Sequence, residues 1–152
     1  MQVYPDELTK HHWNKSLGLF AKAKRTGIGD ALSAMESAYA DSAFRFNPYT
    51  VATKTADSAK FERWMTHLGT RLRADAGKID DAAATVQAEI TAATSAFADD
   101  TAVVDALRRL QSSLVTFRAS IQPDGPLATR FDADVRTTHT EWTARQATGS
   151  GP

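Results

Sequence analysis

The feature that most restricts the fold is a run of apolar or alanine positions from Phe61 to Phe97. Phe61, Met65, Leu68, Leu72, Ala76, Ile79, Ala83, Val86, Ile90, Ala93 and Phe97 step by 4, 3, 4, 4, 3, 4, 3, 4, 3 and 4 residues. A strand alternates every second residue, whereas this beat belongs to one stripe of an α-helix. The steps make a heptad-like seam, in coiled-coil terms, with one stutter at Leu72–Ala76. No proline interrupts it, and the pattern predicts one continuous helix over about residues 57–98, roughly 63 Å long at 1.5 Å per residue. A break around Ala74-Asp75-Ala76-Gly77 is the competing reading, because glycine costs about 1 kcal/mol inside a helix.

The rest of the chain repeats the beat in shorter pieces. Thr9 is placed to cap a first helix with Leu8 stapled onto Trp13, and Trp13, Leu17 and Phe20 form its apolar stripe. Thr26-Gly27-Ile28-Gly29-Asp30 reads as a turn. A second helix then carries Ile28, Leu32, Met35 and Tyr39 to about Phe44, so 9–44 is expected to be an antiparallel hairpin. Residues 45–56 read as a linker, with one helical turn allowed after Asn47-Pro48. Asp99-Asp100 close the long helix and cap the next. Val103, Leu107, Leu110, Leu114, Phe117 and Ile121 mark a helix over 100–122, and Pro123-Asp124-Gly125-Pro126 marks a turn. Leu127, Phe131, Val135, Thr138 and Trp142 mark a last helix over 126–147, and 148–152 is a tail. The expectation is all-α: a single domain over 1–147, an antiparallel helical bundle of about five helices around one long central helix. The last two helices are expected against the second half of the long helix and the 9–44 hairpin against its first half.

Composition narrows the function classes. The 152 residues hold 18 basic and 18 acidic side chains. Residues 1–76 carry 11 basic and 8 acidic groups and residues 77–152 carry 7 and 10, a split too mild to declare a nucleic-acid binder, though it permits a local anion-binding patch. Without cysteine there is no disulfide, zinc-thiolate site or thiol nucleophile. No stretch approaches the ~18 consecutive apolar residues of a membrane span. The opening residues lack the basic-then-apolar plan of a signal peptide, so the expected compartment is the cytoplasm, with a virion or signal-independent export left open.

Candidate sites are few. On the first helix His11, Lys15, Gly18, Lys22 and Arg25 share one stripe opposite Trp13, Leu17 and Phe20, and no acid occurs between Glu7 and Asp30 to neutralise it. Such a ridge, with bare backbone at Gly18, suits phosphates or an acidic partner face. A solvated face that shields apolar surface under lysine stems is its plain counterpart. Arg63 and Trp64 form the second candidate. Trp64 lies one step off the Phe61–Met65–Leu68 seam and widens it, so that the helix can bury a second neighbour, either the first helix or another chain, with residue types that anchor interfaces.

Metal and catalytic patterns are weak. His11-His12 diverge by about 100° on a helix, no Glu-x-x-His occurs, and His139-Thr140-Glu141 puts its ligand types two apart. Gly27-Ile28-Gly29 follows no strand and reads as a plain turn. Asp80-Asp81, Asp99-Asp100, and Asp132 with Asp134 read as acids near helix N-termini. No cofactor is expected. By elimination the leading expectation is a non-enzymatic protein-protein interaction or assembly module, self-associating or docked to a larger assembly such as a phage-like particle or secretion apparatus. A nucleic-acid or anionic-surface binder using the first-helix ridge is the second reading. The third is a ligand-carrying or enzymatic bundle with Tyr39, His67 or His139 lining a pocket.

Overall fold

The computed structural model describes residues 5–17, 26–45, 52–53, 57–122 and 124–148. In chain order these form α1 (Lys10–Leu17), α2 (Ile28–Ala40), α3 (Ser58–Ala96), α4 (Thr101–Ser120) and α5 (Pro126–Ala147), with single 3-10 turns at Asp6–Leu8 and Ala43–Arg45. No strand occurs among the described residues, and the chain is all-α as its periodicity predicts.

α3 is one helix of 39 residues, unbroken at Gly77. Ten of the seam positions, Phe61 through Ala93, are buried, and Phe97 is half-buried at the helix end. The helix continues through Gly77 because Ala76 and Ile79, on either side, both remain on the buried face. Burying an isoleucine is worth about 1.5–3 kcal/mol, more than the glycine costs. Asp57 starts the helix: its carboxylate accepts from the N–H groups of Ala59 at 2.8 Å and Lys60 at 3.3 Å. Threonines inside α3 turn their hydroxyls back onto the helix, Thr66 donating to the Glu62 carbonyl at 3.0 Å and Thr70 to that of Thr66 at 3.1 Å. They are thereby kept from competing for other backbone.

Contacts along α3 give the packing order. Asp100 caps α4 just beyond the end of α3, its side chain accepting from Val103 N–H. Asp80 of α3 then pairs with Arg118 of α4 at 2.7 Å. Farther along, Leu72 and Leu68 of α3 line a groove with Ala128 and Phe131 of α5, Glu62 pairs with Arg136 at 3.3 Å, and Phe61 stacks on His139. The α3 numbers fall steadily as the α4 and α5 numbers rise. α4 and α5 therefore run in series, both opposite in direction to α3, with α4 beside its second half and α5 beside its first. α2 joins the second half: Gly27 meets Glu89 at one end and Ala43 meets Asp75 at the other.

This corrects the expected arrangement, in which α4 and α5 shared the second half of α3 and the 9–44 hairpin covered the first. Pro123-Asp124-Gly125-Pro126 was expected to reverse the chain as a hairpin would. Instead α5 leaves the turn in the same sense as α4; Asp124, Gly125 and Pro126 are the described part of that turn, and Pro123 lies outside the described residues. Gly125 is required there, since a Cβ on it would lie 2.7 Å from the Ala119 carbonyl oxygen and 2.9 Å from that of Ser120. Gly125 N–H donates to the Gln122 carbonyl at 2.8 Å, and Pro126 opens α5 at a position where no N–H is needed.

The joint between α4 and α5 is backed by the end of α2. α2 stops at Ala40, short of the expected Phe44, and the chain re-forms as the turn Ala43–Arg45. Ala43 N–H donates to the Asp75 carboxylate at 2.6 Å. Tyr39 stacks on Phe44 at 6.5 Å and meets Phe117, in the last turn of α4, edge-on at 5.7 Å. At the other end of the chain, Thr9 caps α1 as expected, accepting from His12 N–H at 2.9 Å, while Leu8 and Trp13 are both buried in the same core. The Asp6–Leu8 turn packs on α4, where Ser113 donates to Glu7 at 3.4 Å.

The acid pairs inside helices do a different job from the expected one. Asp80-Asp81 lie in the middle of α3, far from any helix start, and Asp80 takes a bidentate bond from Arg118 at 2.7 and 3.0 Å. Asp132 and Asp134 lie past the first turn of α5 and face Arg136 at 3.4 Å and Arg130 at 3.9 Å, one turn away each.

Candidate functional site

The α1 ridge is described only in part. His11 and Lys15 are exposed on α1; Gly18, Lys22 and Arg25 lie outside the described residues. The start of α1 is not free of acids, as expected from sequence spacing alone, because α2 brings two alongside. Glu36 accepts the Lys10 N–H, and Asp30 stands 3.9 Å from the Lys10 ammonium. The Gly27-Ile28-Gly29 turn is likewise spoken for: the Glu89 carboxylate accepts Gly27 N–H at 3.2 Å and occupies the place an anion would take at the start of α2.

The second candidate sits on the outer face of α3. Trp64 is half-buried, its side chain packed against the core, and Arg63 is exposed beside it. Lys60, Arg63, Trp64 and His67 enclose a surface groove of about 290 Å³. The Trp64 and His67 rings stand edge to face, 6.4 Å apart at 84°. Lys60, Arg63 and His67 are all exposed, and none of them forms an ion pair among the described residues. Of the two acids nearest along the chain, Glu62 is paired with Arg136 and the carboxylate of Asp57 is committed to the helix cap, where it accepts from Ala59 and Lys60 N–H. It is held below the usual carboxylate range first by the N–H bonds from Lys60 and Ala59, and further by the positive charges of Lys60 and Arg63.

These groups belong to a longer stripe. At 100° per residue Lys60, Arg63, Trp64, His67, Arg71 and Lys78 fall within roughly 100° of arc, about a third of a turn from the buried seam. Arg71 reaches Asp75 at 3.9 Å, but that carboxylate already accepts the Ala43 N–H. Glu62 points to the far side and is bound by Arg136, which it and Asp132 hold firmly protonated through hydrogen bonding and charge. Sequence reasoning singled out Arg63 and Trp64, named His67 only as a possible pocket residue, and missed Lys60, Arg71 and Lys78. Their 3-, 4- and 7-residue spacing around Arg63 was the available signal, hidden because the apolar seam of the same helix was read first.

Tyr39, His67 and His139 do not share a cleft. Tyr39 is buried between Phe44 and Phe117, and burial raises its hydroxyl above the usual tyrosine value against a smaller opposing effect of Arg45. His67 is on the outer face of α3, and His139 is buried flat against Phe61 with ring centres 3.8 Å apart. A groove of similar size between α3 and α5 has an apolar floor of Met65, Leu72 and Phe131 with Arg73 and Asp132 at its mouth, one charge of each sign. Among the described residues no three metal-ligating side chains cluster, and no helix is long and apolar enough to cross a membrane.

Compared with protein-family models, curated proteins and solved structures, the chain finds no match in any of the three.

Proposed function

We propose that this chain is a non-enzymatic helical docking module, a part of a larger protein assembly that engages its partner through the outer face of α3. The observation that carries the reading is the half-buried Trp64 with the exposed cations Lys60 and Arg63 around it, which form no salt bridge among the described residues. An indole that is anchored by one edge and open on the other gives large contact area at little entropic cost, and arginine beside it supplies directional hydrogen bonding. These are the residue types that dominate interface energetics. The α1 ridge at His11 and Lys15 offers a second, smaller contact of the same sign.

The test is site-directed photo-crosslinking in cells that natively make the protein. A photoreactive phenylalanine analogue replaces Trp64 in one variant and the exposed Ala119 of α4 in a control. The reading expects a discrete adduct of higher mass from position 64 and none from position 119. Adducts absent at both positions, or equal at both, refute it.

A further inference from the structure

We infer that the seat on α3 takes an acidic helical segment of a partner protein, laid along Lys60 to Lys78 with one apolar side chain set against Trp64. The inference rests on the docking reading above and names the chemistry of the partner. Lys60, Arg63, His67 and Lys78 are exposed on one side of α3; between them the acid nearest the stripe, Asp75, is held by Ala43 N–H and Arg71, while Asp57 caps the helix before the stripe and the exposed Asp81 follows it, three residues past Lys78. The stripe is about 27 Å long at 1.5 Å per residue. Its cations recur at 3- to 7-residue intervals, the repeat with which glutamate or aspartate recurs on one face of a helix lying alongside. The indole at the centre of the N-terminal half supplies the apolar contact that fixes register, and the cations around it supply attraction and orientation.

A polynucleotide fits less well. The chain as a whole has 18 basic and 18 acidic residues, so there is no general positive field to concentrate a polyphosphate. Among the described residues the other ring on this face is the His67 imidazole, set at 84° to the indole rather than parallel to it, whereas binding of successive bases relies on a row of stacking rings.

The experiment is fluorescence anisotropy with the full chain and three labelled probes. The first is a 21-residue helical peptide with glutamate at every third or fourth position and one central leucine. The second is the same peptide with lysine in place of glutamate, and the third is a 20-nucleotide oligothymidine. The inference expects saturable binding of the acidic peptide alone. It expects binding to weaken about tenfold in the Lys60→Glu/Arg63→Glu double variant, and by a similar factor in Trp64→Ala. All the charge changes are at exposed positions, and circular dichroism is the check that each variant keeps its helix content. Binding of oligothymidine or of the lysine peptide as tightly as the acidic one overturns the inference, as does full affinity in the double variant. A concentration-dependent rise in mass by light scattering that the double variant abolishes also overturns it, by putting a second copy in the seat. If the acidic peptide fails to bind while position 64 still crosslinks in cells, docking stands and the acidic chemistry falls. Failure of both removes the docking reading itself.

Discussion

Replacing Gly77 with alanine tests how α3 is held. Gly77 lies 19 residues into a helix of 39, and a Cβ built on it meets nothing within 4 Å. No packing cost therefore opposes the gain in helix propensity, about 0.8–1.0 kcal/mol for alanine over glycine at a helix interior. Gly69 is in the same situation, with open space around its added Cβ. The two sites are about 12 Å apart along the axis, far enough for their effects to add. Gly69→Ala/Gly77→Ala is thus expected to gain about 1.6–2 kcal/mol, or roughly 3–8 °C in Tm for a chain of this size. Urea unfolding followed by circular dichroism at 222 nm reads the change, with the midpoint moving up and the slope unchanged. A helix that ended near residue 76, with Gly77 in a left-handed cap, would lose stability on the same substitution. A neutral or lower midpoint for Gly77→Ala refutes the continuous rod.

Other expectations follow from single contacts. Arg118 holds the Asp80 carboxyl below its usual value, chiefly by hydrogen bonding and against some desolvation, so the pair stabilises the folded chain above the ordinary carboxylate pKa of about 4 and loses that contribution as pH falls through the lower folded value. Asp80→Asn should cost about 1 kcal/mol at pH 7, the side chains being a third exposed, and the difference from wild type should shrink in unfolding titrations below about pH 4; a constant difference down to pH 2 contradicts the pairing. Gly125→Ala forces a Cβ onto three carbonyl oxygens and should lower stability by about 1–3 kcal/mol, where an equal midpoint would mean that the joint is open. Phe117→Ala empties a site that is 1% exposed and should cost about 3–5 kcal/mol. Val115→Ala, two residues away at 56% exposure, should stay within about 0.5 kcal/mol, and similar losses at both positions would contradict the orientation of α4.

Most of the helices could be read from the residues because each apolar stripe is also a burial map. The seam from Phe61 to Ala93, the α4 set from Val103 to Ile121 and the α2 set from Ile28 to Tyr39 are all buried where the spacing puts them. α5 was read less well. Its stripe was followed through Thr138, whereas His139 takes the buried place beside Phe61. An imidazole can lie flat in a core, but a hydrophobicity pattern counts it as polar. The packing order was not legible. A helical stripe says that a face is covered but not by which helix, and a Pro-Gly turn looks the same whether the chain doubles back or carries straight on. What decided it was tertiary: the Asp80–Arg118 and Glu62–Arg136 pairs, at 2.7 and 3.3 Å, that fix α4 and α5 at successive levels of α3. The cationic stripe from Lys60 to Lys78 was written in the spacing all along. Its separation from local acids was not, since that depends on Asp75 reaching Ala43 and Glu62 reaching Arg136.

The end-to-end placement of α4 and α5 along one continuous α3 is the central claim about the fold, and a single distance tests it. The chain has no cysteine, so Ala102→Cys and Ala144→Cys, both at exposed positions, accept a pair of spin labels without background. Pulsed dipolar spectroscopy should give a separation of about 60 Å, the length of two helices in line at 1.5 Å per residue. A distance near 20 Å or less, as in a folded-back helical hairpin with helices about 10 Å apart, would contradict it.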